Sequence, residues 1–226
     1  MRSLWIVAAV VSFSCQGVTV ADSACPIARP EVQVAAVHGE VHEVWDTTVA
    51  DLAQSAKERN LPLHHPILGA YTSTIGIGLQ IEDTITDLGE GRRCSAPEVI
   101  RVRLSLTGRA IHLPRDFAGD ACLIDLARSH QRKHAQADDA LFDSVVSGFA
   151  EDLRARFMTL SLDPAPSESA ARLRMTKAAS KIVEKQLDRY EDAKANVDKM
   201  VDTPEEVVRM RKACGAALKP QGSLRG

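Results

Sequence analysis

Aromatic residues are scarce in this sequence, which has two Trp, two Tyr and five Phe among its 226 residues. Stacking platforms for sugars or single-stranded nucleic acids need exposed rings, so the composition does not favour a surface of that kind. An excess of basic charge is lacking too, because 28 basic residues face 30 acidic ones. The sequence therefore indicates neither a nucleic-acid surface nor an anionic-membrane surface. It also lacks a GxSxG nucleophile elbow and a phosphate-binding glycine loop.

The N-terminus has the three parts of a secretory signal peptide. Arg2 supplies a positive charge, Leu4–Val11 an apolar run, and Thr19–Ala21 a small-residue cleavage site. The apolar run is too short to span a bilayer. We therefore predict that residues 1–21 are a signal peptide and that the mature chain has no membrane span and is periplasmic or secreted. A buried N-terminal strand is the alternative interpretation of this segment.

The mature chain, residues 22–226, is long enough for one domain with a sizeable core. It retains four cysteines, Cys25, Cys94, Cys122 and Cys214, and no two of them have CxxC spacing. An even number of cysteines in an oxidising compartment favours two disulfides over metal thiolates. Four cysteines allow three connectivities, and the spacing alone does not choose among them.

Hydrophobic alternation in the N-terminal half of the chain predicts β-strands. Apolar residues occupy alternate positions in Tyr71–Ile81 and in Val99–Leu106, as in half-buried strands. A third short strand is predicted at Ile111–Leu113, after a turn at Gly108, and Glu31–Trp45 is a looser candidate for a fourth. We expect these strands to pair antiparallel, with one face of the sheet in water.

Helical spacing dominates the C-terminal half. From about Ala118 apolar residues recur every three or four positions, which predicts one long amphipathic helix that ends at Asp163–Pro166. A second helix should start near Ser167, and Thr203–Glu206 has the cap and first-turn proline of a third, which should run through Cys214. A shorter helix is predicted earlier, at Thr48–Arg59, before a loop at Pro62–Pro66.

Two long helices joined by a tight proline loop should fold back antiparallel. This arrangement returns Cys214 to the neighbourhood of Cys122, so we favour a Cys122–Cys214 disulfide, which leaves Cys25 with Cys94 to tie the N-terminus to the sheet. The expected fold is α+β, with a small antiparallel sheet at about residues 30–115 packed against a helical hairpin at about residues 118–217.

Two histidines four positions apart are the main candidate for chemistry. His130 and His134 lie one helical turn apart, so they can bind one zinc ion together. They are in register with the apolar residues of the long helix, so they should face the interior. The other interpretation is that both histidines are buried and form hydrogen bonds with neighbouring carboxylates or carbonyls. A second pair, His38 and His42, falls in a strand-like segment and is interpreted as solvated polar surface.

The order of several landmarks resembles a family of bacterial secreted zinc-dependent metallopeptidase-like proteins with an HExxH motif. The matching pieces lie roughly within residues 70–214: Cys94 before IRVRLSL, IHLPRDFAGDAC around Cys122, SHQRKH at Ser129–His134, and DTPEEVVRMRKAC at Asp202–Cys214. The resemblance implies a zincin-like α+β fold in the bacterial envelope, with His130 and His134 as zinc ligands.

This chain departs from the family motif where the catalytic glutamate should stand, because residue 131 is Gln131. An amide cannot accept the proton that a zinc-bound water loses during attack on a peptide bond, so weak or absent peptidase activity is expected. Catalytic zinc usually has three protein ligands. Candidates for the third are Asp138, Glu191, Asp192 and His112, each of which is also a plausible solvated or paired group.

Two classes of function follow from these observations. The first is a degenerate zinc metallopeptidase acting on peptides outside the cytoplasm. The second is a non-enzymatic envelope module that uses its helical hairpin to bind another protein or to support a structure.

Overall fold

The computed structural model describes residues 24–58 and 67–214 of the chain. The predicted signal peptide and the Pro62–Pro66 loop lie outside these residues. The α+β class is confirmed, and the elements in chain order are β1 (Glu31–His38), β2 (His42–Thr47), α1 (Val49–Glu58), β3 (Ala70–Gly89), β4 (Arg92–Pro114), α2 (Ala121–Phe157), α3 (Glu168–Val201) and α4 (Pro204–Ala213). None of the helices in the described ranges has both the length and the hydrophobicity to cross a membrane.

Strand β4 is the centre of the sheet and pairs with every other strand. The long β3–β4 hairpin is antiparallel, whereas β1 and β2 follow one another along the opposite edge of β4 and run parallel to it. The prediction of a purely antiparallel sheet is therefore wrong. Only β3 and β4 are joined by a tight turn, which demands antiparallel pairing. The chain passes through α1 and the whole of β3 between β2 and β4, a connection long enough for parallel pairing.

A β-bulge, not a turn, occupies the position of Gly108. Strand β4 continues through this residue, which has a φ of 58°, and the β3–β4 pairing shifts between Thr72/Ala110 and Thr74/Thr107. A bulge inserts one extra residue and so exchanges the two faces of the strand beyond it. From Ile100 to Leu106 the even-numbered residues of β4 are buried, whereas from Arg109 to Leu113 the odd-numbered residues are buried. The predicted third strand is thus the far half of β4.

The bulge also brings a charged side chain into the interior. Arg109, 6% exposed, donates to the Tyr71 hydroxyl, the Gly39 carbonyl and the Asp139 carboxylate at 3.1, 2.8 and 2.7 Å. A buried guanidinium is tolerated when its donors are paired in this way. Arg109 therefore joins β3, the break between β1 and β2, and α2.

The helices begin where the sequence predicts. The Asp120 side chain caps α2, the Ser167 side chain caps α3 after the proline loop, and the Thr203 side chain accepts from the Glu206 amide at the start of α4. Caps of this type typically stabilise a helix by about 1 kcal/mol each. Helix α4 ends at Ala213, one residue before the predicted end at Cys214.

Helices α2 and α3 form an antiparallel hairpin on one face of the sheet. Between the hairpin and the sheet lies an apolar core of buried residues: Val32, Ile100, Val102, Leu104, Leu106, Phe142, Phe149, Leu153, Phe157, Ala179, Val183 and Tyr190. A second cluster, which includes Leu123, Leu126 and Met210, packs α4 against the start of α2. The hairpin thereby sets α4 beside the N-terminal half of α2.

Both predicted disulfides are present in the structure. Cys25–Cys94 joins the N-terminal segment to the start of β4, and Cys122–Cys214 joins the first turn of α2 to the end of α4. Disulfides persist in oxidising compartments, so this pair is consistent with a location outside the cytoplasm.

Candidate metal centre

Helix α2 presents His130 and His134 side by side, with their rings perpendicular and their centroids 5.0 Å apart. They are 3% and 8% exposed, so the prediction that both face the interior is confirmed. The i, i+4 spacing places both side chains on one face of the helix. That face looks toward the junction of α3 and α4.

Asp202 lies between the two histidines. It ends α3 and immediately precedes Thr203, the cap of α4. Its Oδ1 atom is 3.1 Å from His130 Nε2 and 3.2 Å from His134 Nε2. Ligand atoms of a tetrahedral zinc ion, with bonds of about 2.1 Å, are roughly 3.4 Å apart. The three residues therefore form a group that can hold a metal ion, with one ligand atom from each within 4.8 Å of the others.

The other ring nitrogen of each histidine faces a carboxylate. His130 Nδ1 lies 3.3 Å from Glu206 Oε1, and His134 Nδ1 lies 3.0 Å from Asp198 Oδ1. Histidines that bind metals usually donate their second N–H to such a partner, which fixes the tautomer and the ring orientation. Both histidines are thus held with Nε2 directed at one point, beside Asp202.

Two cationic side chains surround Glu206. Arg209 and Lys133 contact this carboxylate at 2.7 Å, and Arg209 above all holds the pKa of Glu206 well below its usual range, against the opposite effect of burial. The carboxylates of Asp198 and Asp202 contact the histidines instead. Carboxylates beside the ring nitrogens favour a positive charge there, whether a proton or a metal ion.

The pKa of His134 reflects the nearby carboxylates of Asp198 and Asp202. Burial lowers this pKa, but hydrogen bonds to Asp198 and Asp202 outweigh burial and raise it from 6.5 to about 9. Without a metal, His134 therefore has a proton on each ring nitrogen at neutral pH. A metal ion bound at Nε2 has to displace one of these protons.

Gln131, at the predicted position of the general base, is also buried, at 5% exposed. Its Cγ lies 3.3 Å from the point where a Cβ on Gly69 would stand, so the side chain packs against the backbone just before β3. Consecutive residues of a helix are separated by about 100° around the axis. Gln131 consequently faces the sheet, while His130 faces α3 and α4.

The four candidates for a third ligand lie outside the metal group. Asp138 accepts from the Tyr190 hydroxyl at 2.5 Å and pairs with Lys194 at 2.7 Å. His112 pairs with Asp46 at 3.1 Å, and Glu191 and Asp192 are exposed. The candidate ligand that the sequence analysis missed, Asp202, belongs to a run of acidic residues every four positions, together with Asp198 and Glu206. This spacing of four matches the spacing of His130 and His134, and it was the feature of the sequence that could have indicated Asp202 as a partner of the histidines.

His38 is exposed, as predicted, but it is also fixed by hydrogen bonds. Its two ring nitrogens lie 2.8 and 2.9 Å from carboxylates of Asp139 and Asp143 on α2, and these hydrogen bonds raise its pKa. His42 is exposed as well, as expected. The contacts of His38 therefore fasten β1 to α2.

A cleft of about 310 Å³ lies on another flank of α2. Its walls come from β2, β4 and α2, and they are formed by Val41, Glu43, Ile111, Arg132, Ala135, Gln136 and Asp139. Neither His130 nor His134 is among these residues. The open space beside α2 and the histidine–aspartate group consequently lie on different sides of the helix.

Fold and site together define an α+β protein, crosslinked by two disulfides, in which two buried histidines and a half-buried aspartate could hold a metal ion. Comparisons with protein-family models, with curated proteins and with solved structures found no match to this chain.

Proposed function

We propose that this is an exported bacterial envelope protein that binds one zinc ion through His130, His134 and Asp202 and is weak or inactive as a peptidase. One observation carries the proposal: Nε2 of each histidine is directed at Asp202, while Nδ1 of each is held by a separate carboxylate. Such a double arrangement is typical of histidines that ligate a metal.

The ligand types favour zinc over harder ions. Two imidazole nitrogens and one carboxylate oxygen suit zinc and related transition metals, whereas calcium and magnesium prefer sets made of oxygen alone. Three protein ligands also leave a fourth position for water. When bound, zinc would polarise that water and lower its pKa. The resemblance to zinc peptidases agrees with this ligand set, and the zincin-like fold is part of the proposal.

Two features argue against efficient peptide hydrolysis. The Gln131 amide cannot accept a proton from a bound water, and general-base help is typically worth about 10²- to 10⁴-fold in rate. The side chain moreover packs against Gly69, on the sheet side of α2. The cleft large enough for a peptide side chain opens on a flank that neither histidine lines.

Export is supported by two independent features. The N-terminal sequence has the charge, apolar run and small-residue site of a signal peptide. Four of the five cysteines form disulfides, which form and persist in the periplasm or outside the cell.

A second candidate function is a non-enzymatic envelope module that binds a peptide or another envelope protein. The raised pKa of His134 favours it, because a protonated His134 already pairs with Asp198 and Asp202 without any metal. In that case the histidine–aspartate group is a set of ion pairs that locks α2 to the α3–α4 junction. The helical hairpin would then be the functional surface.

Metal content separates the two candidates. The protein from Asp22 onward, purified without a tag, should contain about one zinc ion per chain, as expected for a site with three protein ligands. A His130→Ala/His134→Ala variant should contain none, and a His42→Ala control, which changes an exposed histidine, should retain the ion. If the unaltered protein takes up no stoichiometric metal even when zinc is supplied, the metal proposal is wrong and the module remains.

A further inference from the structure

The contacts between α2 and the chain from Asp202 to Cys214 follow a regular ladder. Cys122 is bonded to Cys214, His130 contacts Glu206, and His134 contacts Asp202. Between the first two of these contacts, Leu126 and Met210 belong to the same apolar cluster. Each step is four residues along both segments, so α4 lies antiparallel to the start of α2. The disulfide is the outer end of a ladder whose inner end is the metal group.

The two disulfides differ in their access to solvent. Cys25 and Cys94 are 8% and 1% exposed, whereas Cys122 is exposed and Cys214 is half-buried. A reductant has to reach a sulfur atom to attack it. A soluble dithiol will therefore open Cys122–Cys214 well before Cys25–Cys94.

Opening the exposed bridge removes the only covalent tie between α2 and α4 in the described part of the chain. Helix α4 has ten residues, and two of them, Glu206 and Met210, are buried. Helices this short are marginal on their own and depend on what holds them. Glu206, roughly 12 Å along α4 from Cys214, supplies the carboxylate that orients His130. If α4 moves away from α2, the contact between Glu206 and His130 is therefore weakened. Asp202, which directly precedes the cap of α4, would be displaced as well.

We infer that the Cys122–Cys214 disulfide regulates the metal group, so that its reduction weakens metal binding. This inference rests on the proposed zinc site. In the reaction a thiolate of a dithiol reductant attacks one sulfur of the bridge, and the mixed disulfide is resolved by the second thiol. Two electrons and two protons pass to Cys122 and Cys214, and the reductant leaves as a disulfide. Loss of a carboxylate that orients a metal-binding histidine typically lowers metal affinity about 10- to 100-fold.

The test compares zinc affinity in three forms of the mature protein, by competition with a chromophoric chelator. The first has both disulfides. In the second, the folded protein is treated briefly with a dithiol and alkylated, and peptide mapping verifies that only Cys122 and Cys214 are modified. Alkylation matters because free thiolates bind zinc themselves. The third form is Cys25→Ser/Cys94→Ser, in which only the buried bridge is missing.

We expect about tenfold weaker zinc binding, or more, in the form opened at Cys122–Cys214 and unchanged binding in Cys25→Ser/Cys94→Ser. Equal affinity in all three forms would overturn the regulation and leave the zinc site standing. Equal weakening in both altered forms would also overturn it, because the loss would then reflect general loosening of the fold. Absence of zinc from the form with both disulfides would refute the site itself, and the regulation with it.

Discussion

The two halves of the α2–α3 interface are built by the same helices but have opposite chemistry. In one half, Phe142, Phe149 and Leu153 of α2 pack with Ala179 and Val183 of α3 in an apolar core. In the other half, His130, His134 and Asp138 of α2 face a run from Tyr190 to Asp202 on α3. The named α2 residues of both halves are buried, whereas Asp198 and Asp202 are half-buried.

The difference separates what holds the fold from what gives it specific chemistry. An apolar interface tolerates exchange of side chains of similar volume, whereas every buried nitrogen or oxygen needs a partner in one geometry. Replacing a buried ion pair by apolar residues is often neutral or stabilising. The polar half is therefore better explained by a function than by stability, and the following predictions test this division.

The largest effect on stability should come from the apolar half. Phe142→Ala should lower the free energy of unfolding by about 3–5 kcal/mol, because Phe142 is fully buried and its loss leaves a cavity. Urea unfolding measures this change, and zinc content per folded molecule should stay as in the unaltered protein. Leu173→Ala, at a side chain 54% exposed, is the control and should change stability by less than about 0.5 kcal/mol. Loss of zinc from folded Phe142→Ala would show that the halves are not independent.

The next effect is a pH dependence to which His134, in the polar half, contributes. In metal-free protein the raised pKa of His134, about 9 against 6.5, stabilises the fold fully below pH 6.5, and this contribution is lost as the pH rises through 9. The contribution is up to about 3 kcal/mol. Urea unfolding in the presence of a chelator, from pH 6 to 10, should show the decline. His38, whose pKa is also raised, contributes to a decline in both proteins, so His134→Ala should show a smaller decline. A decline of equal size in that variant would contradict the assignment to His134.

A smaller effect is expected from the carboxylate behind His134. Asp198→Asn should weaken zinc binding by about 10- to 100-fold, since it replaces the carboxylate that orients the ring by a neutral amide, which is a weaker acceptor. Chelator competition measures this loss. Asp192→Asn makes the same change on an exposed position of α3 and should leave the affinity unchanged. Equal affinities in the two variants would mean that Asp198 does not position His134.

The smallest effect is expected on hydrolysis. Gln131→Glu restores the motif of zinc peptidases but places the new carboxylate against Gly69, on the sheet side of α2. Peptide hydrolysis by the zinc-loaded variant should therefore not exceed that of Gln136→Glu, which makes the same change at an exposed position. A clear gain in Gln131→Glu alone would establish a degenerate enzyme that lacks only its base.

Local signals in the sequence predicted most of the helical part. The caps Asp120, Ser167 and Thr203 mark the starts of α2, α3 and α4, whereas α2 ends at Phe157, six residues before its predicted end at Asp163. The hairpin that these signals imply was enough to pair Cys122 with Cys214. Burial of His130 and His134 followed from their register with apolar neighbours. Each of these inferences uses contacts within one helix or between helices joined by a short loop.

The missed features depend on contacts between distant segments. Alternation tells which face of a strand is buried but not the direction of its neighbour, so the parallel pairing of β1 and β2 was not accessible. A glycine between two alternating runs is compatible with a turn or with a bulge, as at Gly108. The candidate third ligand, Asp202, depends on the register of α3 against α2. Counting from the proline loop placed the level of the histidines at Glu191 and Asp192, too close to the loop.

The bulge at Gly108 makes β4 sensitive to length as well as to composition. One residue inserted or deleted between Leu106 and Arg109 would rotate the rest of the strand by half a turn. Ile111 and Leu113 would then point into water, His112 would enter the core, and Arg109 would leave its partners. Only changes of two residues preserve the phase of the strand. A hydrophobicity profile would score both kinds of change alike, although one keeps the fold and the other turns half a strand inside out.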